Sequence, residues 1–360
     1  MMLRLQKLQK RLEKEKLNFL VIESLPNLKY LTSFTGSAGI LLVPRQGQSS
    51  LLVDTRYTIQ AKRQSLHTKV VEYENFFKDF LLSFAAKNKG KKVAFESRYI
   101  SHERLLKFKK FGRGLEFVPT GNLVEELRAQ KDIEEIKTLK KALQIADTSF
   151  EEIKKVIKVG MTEKEVAWRL EVIMRELGAD KSAWEPLIIA SGKNSALPHH
   201  GHSNTKIKKG DLVQLDFGCV VDSYHTDTSR VVFMGSPSAK QREVYNLVLQ
   251  AQNLGISLVK KGVVAGEIDH QVKEFLRGKT EGVYRHGLGH GVGLEIHEYP
   301  TLYTGVKQKL TVGEVLTIEP GIYIEGWGGV RLEDMVLVTG SHPDILTKAT
   351  KDISKNIIKV

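Results

Sequence analysis

Residues Asp211 to Arg230 read DLVQLDFGCVVDSYHTDTSR. Apolar and polar positions alternate through the first half. Val213, Leu215 and Phe217 share one face, while Gln214, Asp216 and Gly218 share the other. Val221 to Tyr224 carries Asp-Ser turn chemistry, and Thr228 to Met234 reads as a returning strand with Asp227 at its start. A hairpin of this kind brings Asp216 and Asp227 close together. A carboxylate amid apolar neighbours is costly to bury, and two adjacent ones require a proton or a cation between them. Taken alone, the stretch also fits an edge strand with two solvated aspartates.

A second, similar stretch lies about one hundred residues on. Gly210 to Gly218 (GDLVQLDFG) is echoed by Gly313 to Gly321 (GEVLTIEPG), and Gly160-Met-Thr-Glu-Lys-Glu165 by Gly262-Val-Val-Ala-Gly-Glu267. Each half then supplies a further acid on a returning strand, Asp227 in the first and Glu333 in the second. Val315, Thr317 and Glu319 share one face, as do Arg331, Glu333 and Met335. Two such halves packed face to face converge four carboxylates on one cleft. These cannot all stay ionised without cations.

Between the acid pair of the second half and the helices before it runs HGLGHGVGLEIHE, His286 to Glu298. Its glycines let the backbone approach a cleft closely and hold His290 at a defined point. Asp216, Asp227, His290, Glu319 and Glu333 together form an oxygen-rich donor set with one nitrogen. It suits manganese, cobalt, iron or zinc, and four carboxylates suit two ions better than one. Paired divalent ions favour hydrolytic chemistry. No serine elbow of the G-x-S-x-G type is present, and Cys219 is expected on the apolar face, away from the acids.

Composition bounds the remaining possibilities. With 41% hydrophobic and 27% charged residues over 360 positions, the chain is an ordinary globular protein of about two domains. No run of about 18 apolar residues indicates a membrane span. The N-terminal MMLRLQKLQKRLEKEKL lacks a signal peptide's apolar core and reads as an amphipathic helix, with Leu3, Leu5, Leu8 and Leu12 on or near one face. The single cysteine excludes an intrachain disulfide and fits a reducing compartment, so the cytoplasm is the expected location. The formal charge of +13 raises a nucleic-acid partner, but lysines alternate with glutamates on helix faces and no base-stacking pattern is present, so none is expected.

Residues 1 to about 120 alternate strand and helix patterns. Strands are expected at Phe19–Glu23, Gly39–Val43, Ser50–Asp54, Lys69–Tyr73 and Lys91–Phe95, with helices over Tyr57–Ser65 and Asn75–Lys87. No G-x-G-x-x-G follows a strand. The pattern changes between Gly121 and Lys131. A long helix then starts at Asp132, with Glu135 at the capping-box position, and a second starts at Thr162 with Glu165. Trp184 to Ser191 reads as a strand, followed by the His-rich loop at Pro198 to His202.

The segments LDFG at Asp216, HTDTSR at Asp227, GLGHGVGLEIHE at His290 and His297, TIEPGIY at Glu319 and GGVRLED at Glu333 resemble the pita-bread metallopeptidases. That family includes Xaa-Pro aminopeptidase, Xaa-Pro dipeptidase (prolidase) and methionine aminopeptidase. NLKYLTSFTGSAG and LLVDTRYTIQA look like the creatinase-type N-terminal domain. The resemblance implies an α/β domain over 1–125 and an α+β pita-bread catalytic domain with an internal pseudo-two-fold repeat over 126–360.

It also implies roles. Asp216 would hold one divalent ion through both oxygens, and Asp227 and Glu333 would bridge a pair. His290 and Glu319 would hold the second ion, with Glu319 also shuttling a proton. His199, in ALPHHGHS, would lie in the substrate pocket, and His297 would donate to the scissile carbonyl. Arg331 would steer substrate or support the site. His200 and His202 depart from the small residues usual there and are left out. Manganese is the expected metal and a proline-containing peptide the expected substrate, with self-association into a homodimer or larger assembly. Methionine aminopeptidase fits less well, because it generally lacks the N-terminal domain. The expected activity is Xaa-Pro aminopeptidase. The alternatives are Xaa-Pro dipeptidase and, in a different class, a non-catalytic peptide-binding module.

Overall fold

The computed structural model describes residues 2–360. They form two compact units, one ending at Arg128 and the other running from Ala129 to Val360.

The first unit is an α/β layer structure. Helix α1 (Met2–Lys14) buries Leu5, Leu8 and Leu12. This spacing of three and four forms one stripe, whereas Leu3 falls off it and is 63% exposed. Strands β1 (Phe19–Ile22), β2 (Ile40–Pro44), β3 (Ser50–Val53) and β4 (Lys69–Glu72) precede β5 (Lys92–Glu96) and β6 (Glu116–Thr120) in one sheet of order β4-β3-β2-β1-β5-β6. Helices α2 (Leu25–Thr32), α3 (Thr58–Gln64), α4 (Leu82–Lys87) and α5 (His102–Phe111) connect the strands, and α6 (Glu125–Ala129) follows the last of them. The helix expected over Asn75–Lys87 opens with a π-helical segment, Phe76–Leu81, before continuing as α4. The buried Glu96 carboxylate accepts from the Glu23 and Ser24 amides and from Asn27, tying the end of β5 to the start of α2.

The second unit is the duplicated one. Helices α7 (Ile133–Val156) and α8 (Glu163–Glu176) both begin with full capping boxes, Asp132 with Glu135 and Thr162 with Glu165. Strands β7 (Lys181–Ser182), β8 (Ile188–Ser191), β9 (Leu212–Phe217), β10 (Cys219–Val221), β11 (Tyr224–His225) and β12 (Thr228–Met234) follow. After α9 (Ala239–Leu258) and α10 (Ala265–Leu276) come β13 (Gly289–Gly291), β14 (Glu298–Leu302), β15 (Val315–Ile318), β16 (Gly321–Ile324), β17 (Gly328–Arg331), β18 (Asp334–Leu337), β19 (Asp344–Ile345) and β20 (Ile357–Ile358). The strand expected over Trp184–Ser191 is confined to β8, because Pro186 has no amide proton to give a ladder.

The repeat holds in detail. Antiparallel β9 and β12 pair Leu215 with Arg230, and antiparallel β15 and β18 pair the corresponding Ile318 with Asp334. The amides of Gly160 and Gly262, both at positive φ, donate to Ile207 and Leu310. The two main sheets run β20-β12-β9-β8 and β14-β13-β15-β18-β19. Every residue of β9 is buried, so the Gln214 and Asp216 face is covered rather than solvated. A Cβ at Gly218 would collide with the Thr226 carbonyl, and one at Gly289 with that of Thr317, so each acid-bearing half relies on a glycine for close strand approach. This is a creatinase-type N-terminal domain followed by a pita-bread domain with an internal pseudo-two-fold.

Candidate metal centre

Each candidate ligand except His290 stands near a strand end or at a joint. Asp216 is the fifth residue of β9, and Asp227 immediately precedes β12. Asp227 is two residues before Ser229, the partner of Asp216, so the two acids lie diagonally on one face. His290 is central in β13, and Glu319 follows β15 directly.

Glu333 differs from the expected continuous strand. The chain leaves one ladder at Arg331 and enters another at Asp334, so Leu332 and Glu333 form a joint between sheets. There the Glu333 amide donates to Ser229 in the first half, and its carbonyl accepts from the buried Arg230 guanidinium. Arg230 also pairs with Asp334, which is pinned from the other side by Lys351.

All five side chains line one cavity of about 550 Å³. Ligand atoms of Asp227, His290 and Glu333 lie within 4.8 Å of one another. His290 Nε2 is 3.5 Å from Asp227 Oδ2 and 3.4 Å from Glu319 Oε1. Asp216 is joined to the group by Arg331, which donates Nη2–H to its Oδ2 and lies 3.9 Å, through Nε, from Glu319 Oε2. Arg331 therefore serves Asp216 rather than its sequence neighbour Glu333.

The electrostatics call for protons or cations among the acids. Burial, followed by the charges of Asp216 and Glu319, pushes the Asp227 carboxyl well above its usual range. Burial and the Asp227 charge do the same to Glu333. Burial raises Glu319 to about 8, with Asp216 adding to the shift. The imidazoles move oppositely: burial, helped by His297, lowers His290 to about 3. His290 Nδ1 faces the Gly291 carbonyl at 3.1 Å, so that nitrogen carries the proton and Nε2 turns a lone pair toward the carboxylates. Asp216 Oδ1 and Glu333 Oε1 are buried with no hydrogen-bond partner. Lone pairs facing lone pairs, with two orphaned carboxylate oxygens, fit divalent ions held by Asp216, Asp227, His290, Glu319 and Glu333.

His199, His297 and Arg331 line the same cavity. The His297 ring meets that of His290 edge-on at 4.3 Å. His200 and His202 turn away, to Glu163 and to the Leu187 carbonyl. Cys219 is buried against α7, where its thiol donates to the Ala142 carbonyl, remote from the acids.

Several residues escaped the sequence reading. Tyr323 accepts from Arg331 Nη1 at 2.8 Å and faces His286 Nε2 at 2.9 Å. His286 Nδ1 is turned to the Gly287 carbonyl, so Nε2 is left to accept from the Tyr323 hydroxyl. Thr317 accepts from the His290 amide and donates to Glu319. Tyr323 and Thr317 lie four residues after and two before Glu319, and same-face alternation was the available signal.

The fold and the donor set define a divalent-metal peptidase. Residues 137–340 match the metallopeptidase family M24, and residues 4–130 match the creatinase/prolidase N-terminal domain. The chain belongs to metallopeptidase family M24. It is 35% identical over 351 residues to a Pyrococcus furiosus protein named Xaa-Pro dipeptidase, covering 97% of this chain and 99% of that one. A solved structure named Xaa-Pro dipeptidase, from Bacillus anthracis, superposes with a TM-score of 0.92 at 36% identity, covering 100% of this chain and 99% of that chain. One named X-Pro aminopeptidase, from Thermotoga maritima, gives 0.86 at 33% identity, covering 97% and 100%.

Proposed function

We propose that this chain is an Xaa-Pro aminopeptidase, hydrolysing the bond between an N-terminal residue and a following proline. The observation that favours it over a dipeptidase is the charge inventory of the cavity. Among the described lining residues, Arg331 is the only arginine or lysine. Its nitrogens are engaged with Asp216, Tyr323, the Pro198 carbonyl and Ser229. The free proline carboxylate of a dipeptide would find no uncommitted guanidinium or ammonium among these residues to meet it. A longer peptide carries no charge at that point. The names of the relatives fit both readings, and a dipeptidase is the second.

In this reading residues 126–360 carry the catalysis and residues 1–125 form the N-terminal domain. Asp216, Asp227, His290, Glu319 and Glu333 would hold two divalent ions, manganese first, with Asp227 and Glu333 shared between them. Such ions supply the Lewis acidity that lets water ionise near neutral pH. The Glu319 carboxylate takes the proton from the attacking water and returns it to the departing proline nitrogen as the C–N bond breaks. His297 donates an N–H to the carbonyl oxygen as charge develops there. His199 packs against the bound peptide.

The test is hydrolysis of Xaa-Pro compared with Xaa-Pro-Yaa by the manganese-loaded chain. Faster turnover of the tripeptide is expected, and cleavage of the dipeptide alone would establish the second reading. The same reading holds that the enzyme is cytoplasmic and works as a homodimer or larger assembly. A monomer by light scattering at working concentration would overturn the latter.

A further inference from the structure

His199 reaches the cavity from a segment, Leu197 to Thr205, that contains no helix or strand. Its own imidazole is exposed and makes no hydrogen bond among the described residues. Something other than regular structure must therefore hold it in place.

The residues on either side of it are held. The Pro198 carbonyl accepts from Arg331 Nη1 at 3.1 Å. On the other side, His200 Nε2 lies 2.9 Å from Glu163 Oε2. A carboxylate that only accepts makes this nitrogen the donor.

Glu163 is the first residue of α8 and is fully buried. An acid there ordinarily complements the helix terminus from solvent. Here it faces inward and gathers the loop. Its Oε1 accepts from the Ser191 amide at 2.7 Å, the Ser191 hydroxyl at 2.9 Å and Asn194 Nδ2 at 3.0 Å. Its Oε2 accepts from the Ser203 amide at 3.1 Å and the Ser203 hydroxyl at 2.6 Å, in addition to His200. One carboxylate thus clasps the segment on both sides of His199, at Ser191 and at Ser203. Its bond to His200 is the one adjacent to the cavity residue. Charge-assisted bonds of this kind are short and directional, which suits a strut.

We propose that Glu163 is a positioning residue and that His200 is the arm through which it sets the His199 imidazole against the cavity. This rests on the reading above, in which His199 touches the peptide.

A double-mutant cycle on the metal-loaded full chain tests it, using kcat/KM for an Xaa-Pro-Yaa peptide. His200→Ala should lower kcat/KM roughly 10-fold in the wild-type background but less than about 2-fold when His199→Ala is already present. His200→Gln, which can restore an N–H to Glu163, should recover most of the loss. Equal factors in both backgrounds would overturn the proposal and leave His200 a packing residue. A second readout does not depend on turnover: the ring ¹⁵N–¹H correlations of labelled histidines. His200→Ala should shift or broaden the His199 signals, and unchanged His199 signals would overturn the proposal. A wild-type chain that cleaves no Xaa-Pro peptide refutes the substrate reading, and the ring signals then decide the strut on their own.

Discussion

Arg331 and Asp216 come from opposite halves of the duplicated unit and meet as a buried ion pair. The guanidinium occupies Asp216 Oδ2 and leaves Oδ1 without a partner. It thereby fixes the orientation of the carboxylate. A lysine cannot reproduce the remaining contacts to Ser229, Tyr323 and Pro198. Arg331→Lys should destabilise the fold by roughly 3–5 kcal/mol, since it disrupts a buried charge network. Urea unfolding measures this, and a loss below about 1 kcal/mol would mean that the network is not structural.

Asp227→Asn removes one charge from the most crowded part of the centre. Activity should fall by more than about 100-fold, with weakened metal retention. Metal content after dialysis, read beside turnover, checks this. Full occupancy with ordinary turnover would refute a bridging role.

His297→Ala should lower kcat by roughly 10²–10³-fold while the metals stay bound, as expected of a donor to developing oxyanion charge. Steady-state kinetics with metal analysis decides it. A rise in KM alone would make His297 a binding group.

The metal-free protein should show an unusual pH response. Glu319 is raised from 4.5 to about 8 on folding, and Asp227 and Glu333 are raised as well. The folded state therefore binds more protons than the unfolded one over that window, and stability falls as pH rises. His290 is lowered from 6.5 to about 3, so its contribution rises with pH but is complete by about 6.5. Between pH 6.5 and 8 the carboxylates act alone, and the Tm of the metal-free chain should drop. Saturating manganese should abolish the drop. A Tm that rises or stays flat over this range without metal would contradict the packing of the acids.

Lys131 Nζ and Glu298 Oε2 form a pair 3.1 Å apart, with side chains 1% and 4% exposed. Glu298 also accepts from the Glu295 amide, bracing the turn that carries His297. Lys131→Met should cost roughly 3–5 kcal/mol by removing the buried cation beside the Glu298 carboxylate. Adding Glu298→Gln should recover a good part of it. Chemical denaturation of the single and double variants checks this, and additive losses would show that the pair is not coupled.

Much of the catalytic unit was legible because its signals are local. The capping boxes at Asp132 and Thr162 mark helix starts within a few residues, and the Gly210 and Gly313 stretches share one pattern. What was not legible depends on distance. Nothing near Arg331 in the chain says that it will turn to Asp216 instead of Glu333. The split of the last acid-bearing strand at Leu332 follows from a hydrogen bond to Ser229, over one hundred positions away. Glu163 looks like an ordinary first-turn acid until Ser191, His200 and Ser203 are folded around it. In the first unit, α2 and α5 carry little sequence signal because they are short, and tertiary packing outweighs their weak periodicity.

The final strand, Ile357–Ile358, pairs in parallel with Phe233 and Met234, in the sheet that carries Asp216. Arg230 likewise donates to the Ala349 carbonyl. Residues 357 and 358 thus close the edge of a layer whose other strands lie more than a hundred positions earlier. A change at Ile357 or Ile358 would therefore be felt in the opposite half of the duplicated unit, at the sheet that carries Asp216.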